Sequence, residues 1–121
     1  MDMYKENGMS QEEKVLCGAS AYTQKFYLNE EFEGLPEGIK EELKIMCVLF
    51  TEDVGGVITL VFDENGNLRF ETECDEMDLL YDDIGSVLKI KQLQRTKEEL
   101  LESLELFYKV FFLGEEISEE E

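Results

Sequence analysis

The sequence predicts an α+β protein of two layers, with a four-stranded antiparallel sheet and helices packed on one of its faces. Three observations lead to this fold class. Segments with the strand period of two occur in adjacent pairs, helix-period segments follow each pair, and the predicted order is ββαββαα. The 121 residues suffice for one domain, and an apolar content of 43% is enough for a core.

The first two predicted strands are short and are joined by a tight turn. They span 15–21 and 22–28, with the turn near Ser20, and both are rich in strand-forming residues. In the second strand, Gln24, Phe26 and Leu28 alternate with Lys25 and Tyr27. Gly18 in the first strand is a candidate position for a β-bulge. This pair is expected to form one half of the sheet.

The first predicted helix begins at Pro36 and ends before the pair Gly55 and Gly56. Proline is favoured in the first turn of a helix, and glycine readily forms the left-handed C-terminal cap. Apolar residues at helical spacing form one face, namely Ile39, Leu43, Met46, Cys47 and Phe50. The apolar run 45–50 also fits a buried strand, but the helical spacing continues across it and favours the helix.

An Asn-Gly pair at 65–66 predicts a β-hairpin between strands at 57–63 and 67–74. The second of these strands alternates between apolar and polar residues, so one of its faces should be exposed to water. The first has apolar residues on both faces: Ile58, Leu60 and Phe62 on one, Val57 and Val61 on the other. That pattern predicts an interior position in the sheet.

The second helix is predicted at 75–94, with Asp75 or Asp78 as its N-terminal cap. One stripe of this helix comprises Leu80, Ile84, Val87, Leu88 and Lys91. Gly85 inside a helix costs about 1 kcal/mol relative to alanine. A close packing contact or a kink is therefore expected at this glycine.

The third helix is predicted at 96–114 and begins with Thr96 and Glu99 at the spacing of a capping box. The face expected to pack on the sheet comprises Leu100, Leu104, Phe107 and Phe111. The segment 106–113 is apolar on nearly every side, whereas a surface helix needs only one apolar stripe. Another helix and a loop, or a second subunit, must complete its burial.

The single domain is expected at 14–114, between a polar, mobile arm at 1–13 and an acidic, disordered tail at 115–121.

Three cysteines occur in apolar surroundings: Cys17, Cys47 and Cys74. Their odd number and the lack of a C-x-x-C pair argue against a disulfide framework or a redox motif. We therefore expect buried, reduced thiols and a cytoplasmic protein.

The charge of the chain limits its partners. Thirty acidic and eleven basic residues give a net charge of −19, and histidine is absent. This charge repels nucleic acids and anionic membranes, so neither is predicted as a partner. The absence of histidine removes the commonest general base and the commonest metal ligand.

The acidic run 71–83 is the candidate for a chemical site, because it holds seven carboxylates and no basic residue. Asp82 and Asp83 lie next to apolar residues and are weak candidates for binding a divalent cation. No third ligand or nucleophile is visible nearby, so we assign no catalytic residue, cofactor or metal ligand. Three thiolates and a carboxylate could also hold zinc, but the cysteine spacing is not a usual zinc pattern.

Three segments together carry a family resemblance: Val-Leu-Cys-Gly-Ala at 15–19, Leu-Phe-Thr-Glu-Asp-Val-Gly-Gly at 49–56, and Leu-Glu-Leu-Phe-Tyr-Lys-Val-Phe-Phe-Leu-Gly at 104–114. On these segments the chain resembles a family of small acidic proteins of clostridial and related gut bacteria whose function is unknown. The resemblance covers about 14–114. It implies a bacterial, cytosolic setting, and it implies no activity, cofactor or site residue.

The favoured hypothesis is a non-catalytic protein-interaction module that self-associates, as a homodimer. Its candidate interface comprises Val57, Val61, Val110 and Phe112, which lie away from the predicted core faces. One alternative is an enzyme that uses carboxylates and a divalent metal on an unknown substrate. The other is an acidic decoy that occupies a nucleic-acid-binding protein, since its charge resembles that of a polyanion.

Overall fold

A computed structural model describes residues 13–115. Within them the order ββαββαα is confirmed: β1 (Lys14–Ser20), β2 (Lys25–Leu28), α1 (Glu37–Val54), β3 (Val57–Phe62), β4 (Leu68–Glu73), α2 (Asp83–Thr96) and α3 (Glu98–Phe111). The predicted arm at 1–13 and tail at 115–121 lie outside the described residues, except for Glu13 and Glu115. In the part described, none of the helices combines the length and the apolar character that crossing a membrane requires.

The four strands form one antiparallel sheet in the order β2-β1-β3-β4. The predicted interior position of β3 is confirmed, because it pairs with β1 on one side and β4 on the other. The register between β1 and β3 shifts between Val15 and Cys17. The bulge therefore lies before Gly18, not at it. Gly18 is needed for a different reason, since a Cβ there would lie 2.9 Å from the backbone oxygen of Ile58.

Helix α1 packs across β1, β2 and β3 and covers the middle of the sheet. The helical reading of 45–50 is confirmed. Of the predicted apolar face, Leu43, Met46, Cys47 and Phe50 are buried and Ile39 is partly buried. The outer side of α1 carries Ile45 and Leu49, which are each 51% exposed.

Helix α3 lies against β4, and its burial differs from the prediction. Its fully buried residues are Leu100, Leu104 and Tyr108, whereas Phe111 is 71% exposed. A hydrogen bond accompanies this rotation: the backbone N–H of Leu68 in β4 donates to Oε2 of Glu105 at 2.7 Å. Glu105 precedes Tyr108 by three residues, so the same side of α3 turns toward the sheet.

An aromatic cluster fills the end of the core beneath α3. Phe32 is fully buried in a short 3₁₀ turn, Glu30–Phe32, that precedes α1. Its ring centroid lies 5.7 Å from that of Phe62 and 4.8 Å from that of Phe112. Tyr108 stacks on Phe62 at 4.2 Å. Phe112 thus packs on the core within its own chain.

The predicted capping box at the start of α3 does not form. Thr96 is the last residue of α2, and Lys97 precedes α3 without a side-chain cap. The backbone N–H of Lys97 donates to the carbonyl of Leu93, so the helical hydrogen bonds of α2 reach this residue. A single residue therefore joins the two helices, and Thr96 is not free to take a capping conformation.

Candidate interaction surface at the second helix

Helix α2 begins at Asp83, eight residues later than predicted, because aspartates hold the preceding segment in turns. Oδ1 of Asp75 accepts a hydrogen bond from the N–H of Met77 at 2.9 Å, and Oδ1 of Asp78 accepts one from the N–H of Leu80 at 3.0 Å. Aspartate side chains that bond the backbone two residues ahead favour turns over helix. Asp75 and Asp78 are therefore turn residues and not helix caps.

Two tyrosines anchor this segment to the rest of the domain. The Tyr22 hydroxyl donates to Oδ2 of Asp78 at 2.6 Å and accepts from the N–H of Asp75 at 2.9 Å. The bond from Tyr22 is the main cause that lowers the pKa of the Asp78 carboxyl. Tyr81 lies over Gly56, and its hydroxyl donates to Oγ of Ser86 at 2.9 Å. These hydrogen bonds join the segment 75–81 to Tyr22 on one side and to α2 on the other.

Asp82 supplies the cap of α2. Its Oδ1 accepts a hydrogen bond from the N–H of Gly85 at 2.8 Å. Gly85 therefore lies in the first turn of the helix, and a Cβ there would collide with the Asp82 carboxylate. The sequence predicted a close contact at Gly85, and the structure shows that this contact is with the carboxylate of Asp82. Asp83, the other candidate for a cation site, is the exposed first residue of the helix.

The apolar stripe of α2 faces solvent. Ile84 is 74% exposed and Leu88 is 62% exposed, and Val87 beside them is also exposed. The helix is buried on its other side, through Ser86 and Leu93, where it packs against α1 and α3. At about 100° per residue, Lys91 and Arg95 continue the line of exposed residues. We call these five residues the outer stripe: Ile84, Val87, Leu88, Lys91 and Arg95.

Charge is divided along α2. Asp82 and Asp83 lie at its N-terminus, and the basic residues lie in its C-terminal half. Among the residues described, Lys89 pairs with Asp53 at 3.0 Å and Lys97 pairs with Glu42 at 3.4 Å. Within that same range, Lys91 and Arg95 form no ion pair, so the basic end of the outer stripe is uncompensated.

An open groove of about 650 Å³ runs between the end of α1 and helix α2. Leu88 contributes most of its apolar surface, because Val54 is only 5% exposed. Its lining also contains three basic residues of α2, which are Lys89, Lys91 and Arg95. Asp53 and Asp82 make one part of the groove acidic. The groove thus combines apolar surface with groups that attract a carboxylate.

The four residues of the predicted interface lie in two different parts of the fold. Val57 and Val61 lie on the sheet face away from the helices, and Val61 is only 4% exposed. Val110 is half-buried on α3, and Phe112 stacks on Phe32. The sequence identifies the apolar stripe of α2, and the structure adds that this stripe is exposed.

The three cysteines divide into a buried pair and one exposed residue. The Sγ atoms of Cys17 and Cys47 lie 3.9 Å apart in the core, and contact with Cys47 together with burial raises the pKa of Cys17. Cys74 is exposed, contrary to the prediction, because it follows the last residue of β4. Across residues 13–115, no group of three or more cysteine or carboxylate side chains is arranged to hold a metal ion.

The Cys74 thiol is expected to react with alkylating reagents more slowly than an ordinary exposed thiol. Partial desolvation, followed by the charges of Asp83, Asp78 and Asp75, raises its pKa, and only the thiolate reacts. The pH midpoint of iodoacetamide labelling, followed by peptide mass spectrometry, should lie above that of the same cysteine in urea. A folded-state midpoint at or below the urea value would contradict this.

The fold and this surface define a small acidic α+β protein in which one helix exposes an apolar stripe. Comparison with family models identifies the family. The chain belongs to a family of unknown function, DUF6145, whose model matches residues 13–116. The predicted resemblance to a family of unknown function is thereby confirmed. No curated protein and no solved structure matches the chain.

Proposed function

We propose that this protein is a non-catalytic interaction module that self-associates through the outer stripe of α2. The observation that carries the proposal is the exposure of Ile84, Val87 and Leu88 on a helix whose other side packs on the domain. Burying a side chain of this kind contributes about 1.5–3 kcal/mol. A second copy that covers all three would supply a substantial driving force.

The charge pattern of α2 favours an antiparallel arrangement about a twofold axis. In such an interface each copy contributes the same surface. With the axis near Leu88, Lys91 and Arg95 of one copy approach Asp82 and Asp83 of the other. The basic end of each stripe then meets an acidic end, and parallel packing would lack these contacts.

The outer stripe supports self-association better than the interface predicted from the sequence. Val61 offers almost no exposed surface, and Phe112 already packs on Phe32 and Tyr108. The alternative of a carboxylate enzyme is less favoured, because Asp82 already serves as the cap of α2. The two buried free thiols support the cytoplasmic setting that we propose for the module.

Sedimentation equilibrium of the full chain tests the proposal. We expect a dimer at about 100 µM, because association follows concentration by mass action. Leu88→Asp should weaken dimerisation at least tenfold, whereas Leu49→Asp on the exposed side of α1 should not. A monomer in the wild type, or equal dimerisation of the two variants, would overturn the proposal.

Charge reversal tests the antiparallel arrangement separately. Lys91→Glu should weaken the dimer, and adding Asp83→Lys to the same chain should restore much of it, since the pair re-forms between copies.

Two copies of net charge −19 also repel one another at long range. The wild-type dimer should therefore strengthen between about 0.02 and 0.2 M NaCl as this repulsion is screened.

A further inference from the structure

The segment before α2 exposes its apolar side chains more than any helix does. Leu79 and Leu80 are each 92% exposed and Met77 is 81% exposed. The segment is not loose, because Asp75 and Asp78 fix its turns and Tyr22 holds both aspartates. We call residues 75–80 the leucine loop. A fixed loop that holds leucines in water is preorganised for a contact.

We propose that the leucine loop of one copy inserts into the groove between α1 and α2 of a second copy. This inference rests on the proposed self-association and adds its second contact. The dimer would then contain one central contact between outer stripes and two equivalent loop-in-groove contacts, as twofold symmetry requires.

The loop and the groove match in chemistry. The loop presents Leu79 and Leu80 together with the carboxylates of Asp75 and Glu76. The groove presents the apolar surface of Leu88, and beside it the basic groups of Lys89, Lys91 and Arg95. Lys91 and Arg95 have no ion-pair partner among residues 13–115. In the proposed dimer they approach Asp82 and Asp83 of the second copy, and the loop carboxylates extend that acidic surface.

The antiparallel arrangement brings the two together without a change of fold. The loop ends three residues before Asp83, the first residue of α2, so it lies beyond the N-terminus of that helix. In an antiparallel pair this end meets the C-terminal half of the partner helix, where Lys91 and Arg95 line the groove. Asp53 and Asp82 repel the loop from the rest of the groove, which places it at the basic end.

The matched test replaces two exposed leucines without altering charge. Leu79→Ser with Leu80→Ser should raise the dimer dissociation constant at least tenfold. Ile45→Ser with Leu49→Ser, which removes an exposed apolar pair from α1, should leave it unchanged. If the loop variant dimerises like the wild type while Leu88→Asp does not, the loop inference is wrong and the proposed function stands. If no variant and no wild-type chain dimerises, both fail.

Cross-linking locates the loop directly and does not depend on how the serine variant folds. Gln92 of α2 also lines the groove. Chains carrying Cys74→Ser and Leu79→Cys are mixed with chains carrying Cys74→Ser and Gln92→Cys, with oxidised glutathione as oxidant. The two protein thiols are oxidised to one disulfide. The two electrons and two protons that they release reduce glutathione disulfide to two molecules of glutathione. A disulfide between positions 79 and 92 of different chains supports the inference. Predominant 79–79 linkage, or no linkage in a dimer, assigns the loop to another partner and overturns it.

Discussion

Replacing Phe32 with alanine is expected to lower the free energy of unfolding by about 3–5 kcal/mol, the range for deleting a buried phenylalanine. Phe32 is fully buried, and its ring packs against those of Phe62, Tyr108 and Phe112. Its removal would leave a cavity between α3 and the sheet. So large a loss could unfold a domain whose total stability is about 5–15 kcal/mol. Urea denaturation followed by circular dichroism measures the effect.

Phe111→Ala is the matched control for this change. Phe111 is 71% exposed and packs mainly on the neighbouring ring of Phe107, 4.7 Å away. Its loss should cost about 0.5 kcal/mol or less, as for most surface substitutions. The sequence alone predicts the reverse, with Phe111 in the core, so the pair of variants separates the observed rotation of α3 from the predicted one. Equal losses in the two variants would be incompatible with this rotation.

Gly56→Ala is expected to destabilise the domain by about 2–4 kcal/mol, from left-handed backbone strain and overpacking together. Gly56 has φ of +70°, and a Cβ there would lie 2.6 Å from the carbonyl oxygen of Glu73 and 2.6 Å from Cε1 of Tyr81. The Glu73 carbonyl belongs to the sheet and cannot move aside cheaply. Because Tyr81 anchors the leucine loop, the variant should also disturb that loop.

Gly38→Ala provides the control within the same residue type. Gly38 lies in the first turn of α1 with no heavy atom within 4 Å of a Cβ added there. Alanine should stabilise the helix at this position by up to about 1 kcal/mol. Thermal unfolding of both variants gives the comparison. A Gly56→Ala protein as stable as the wild type would show that the approach of Tyr81 and Glu73 is not a real constraint.

The elements with strong local signals could be predicted from the sequence. The pair at 65–66 forms the hairpin turn, and the spacing of Leu43, Met46 and Phe50 resolved the ambiguous run in favour of helix. The start of α2 could not be predicted in the same way. Asp75 and Asp78 suit a helix cap and an aspartate turn equally well, and the choice depends on the distant Tyr22.

The candidate surface was only half predictable. The spacing of Ile84, Val87 and Leu88 reveals an apolar stripe, but periodicity does not say what covers such a stripe. In this fold α1 and α3 take up the other side of α2, and the stripe faces outward. The rotation of α3 was similarly hidden, since helical spacing does not reveal long-range contacts such as the bond between Glu105 and the backbone of Leu68.

The reactivity of the buried thiols of Cys17 and Cys47 would report how often the sheet and α1 separate. Cys17 belongs to the sheet and Cys47 to α1, and both Sγ atoms are sealed at the junction between them. A reagent reaches either sulfur when α1 lifts from the sheet, and that one event uncovers both. At reagent concentrations where labelling is faster than reclosing, doubly labelled chains should therefore accumulate without a long-lived singly labelled form at these positions. Their rate of appearance would report the opening of the core. The exposed Cys74 reacts without that opening.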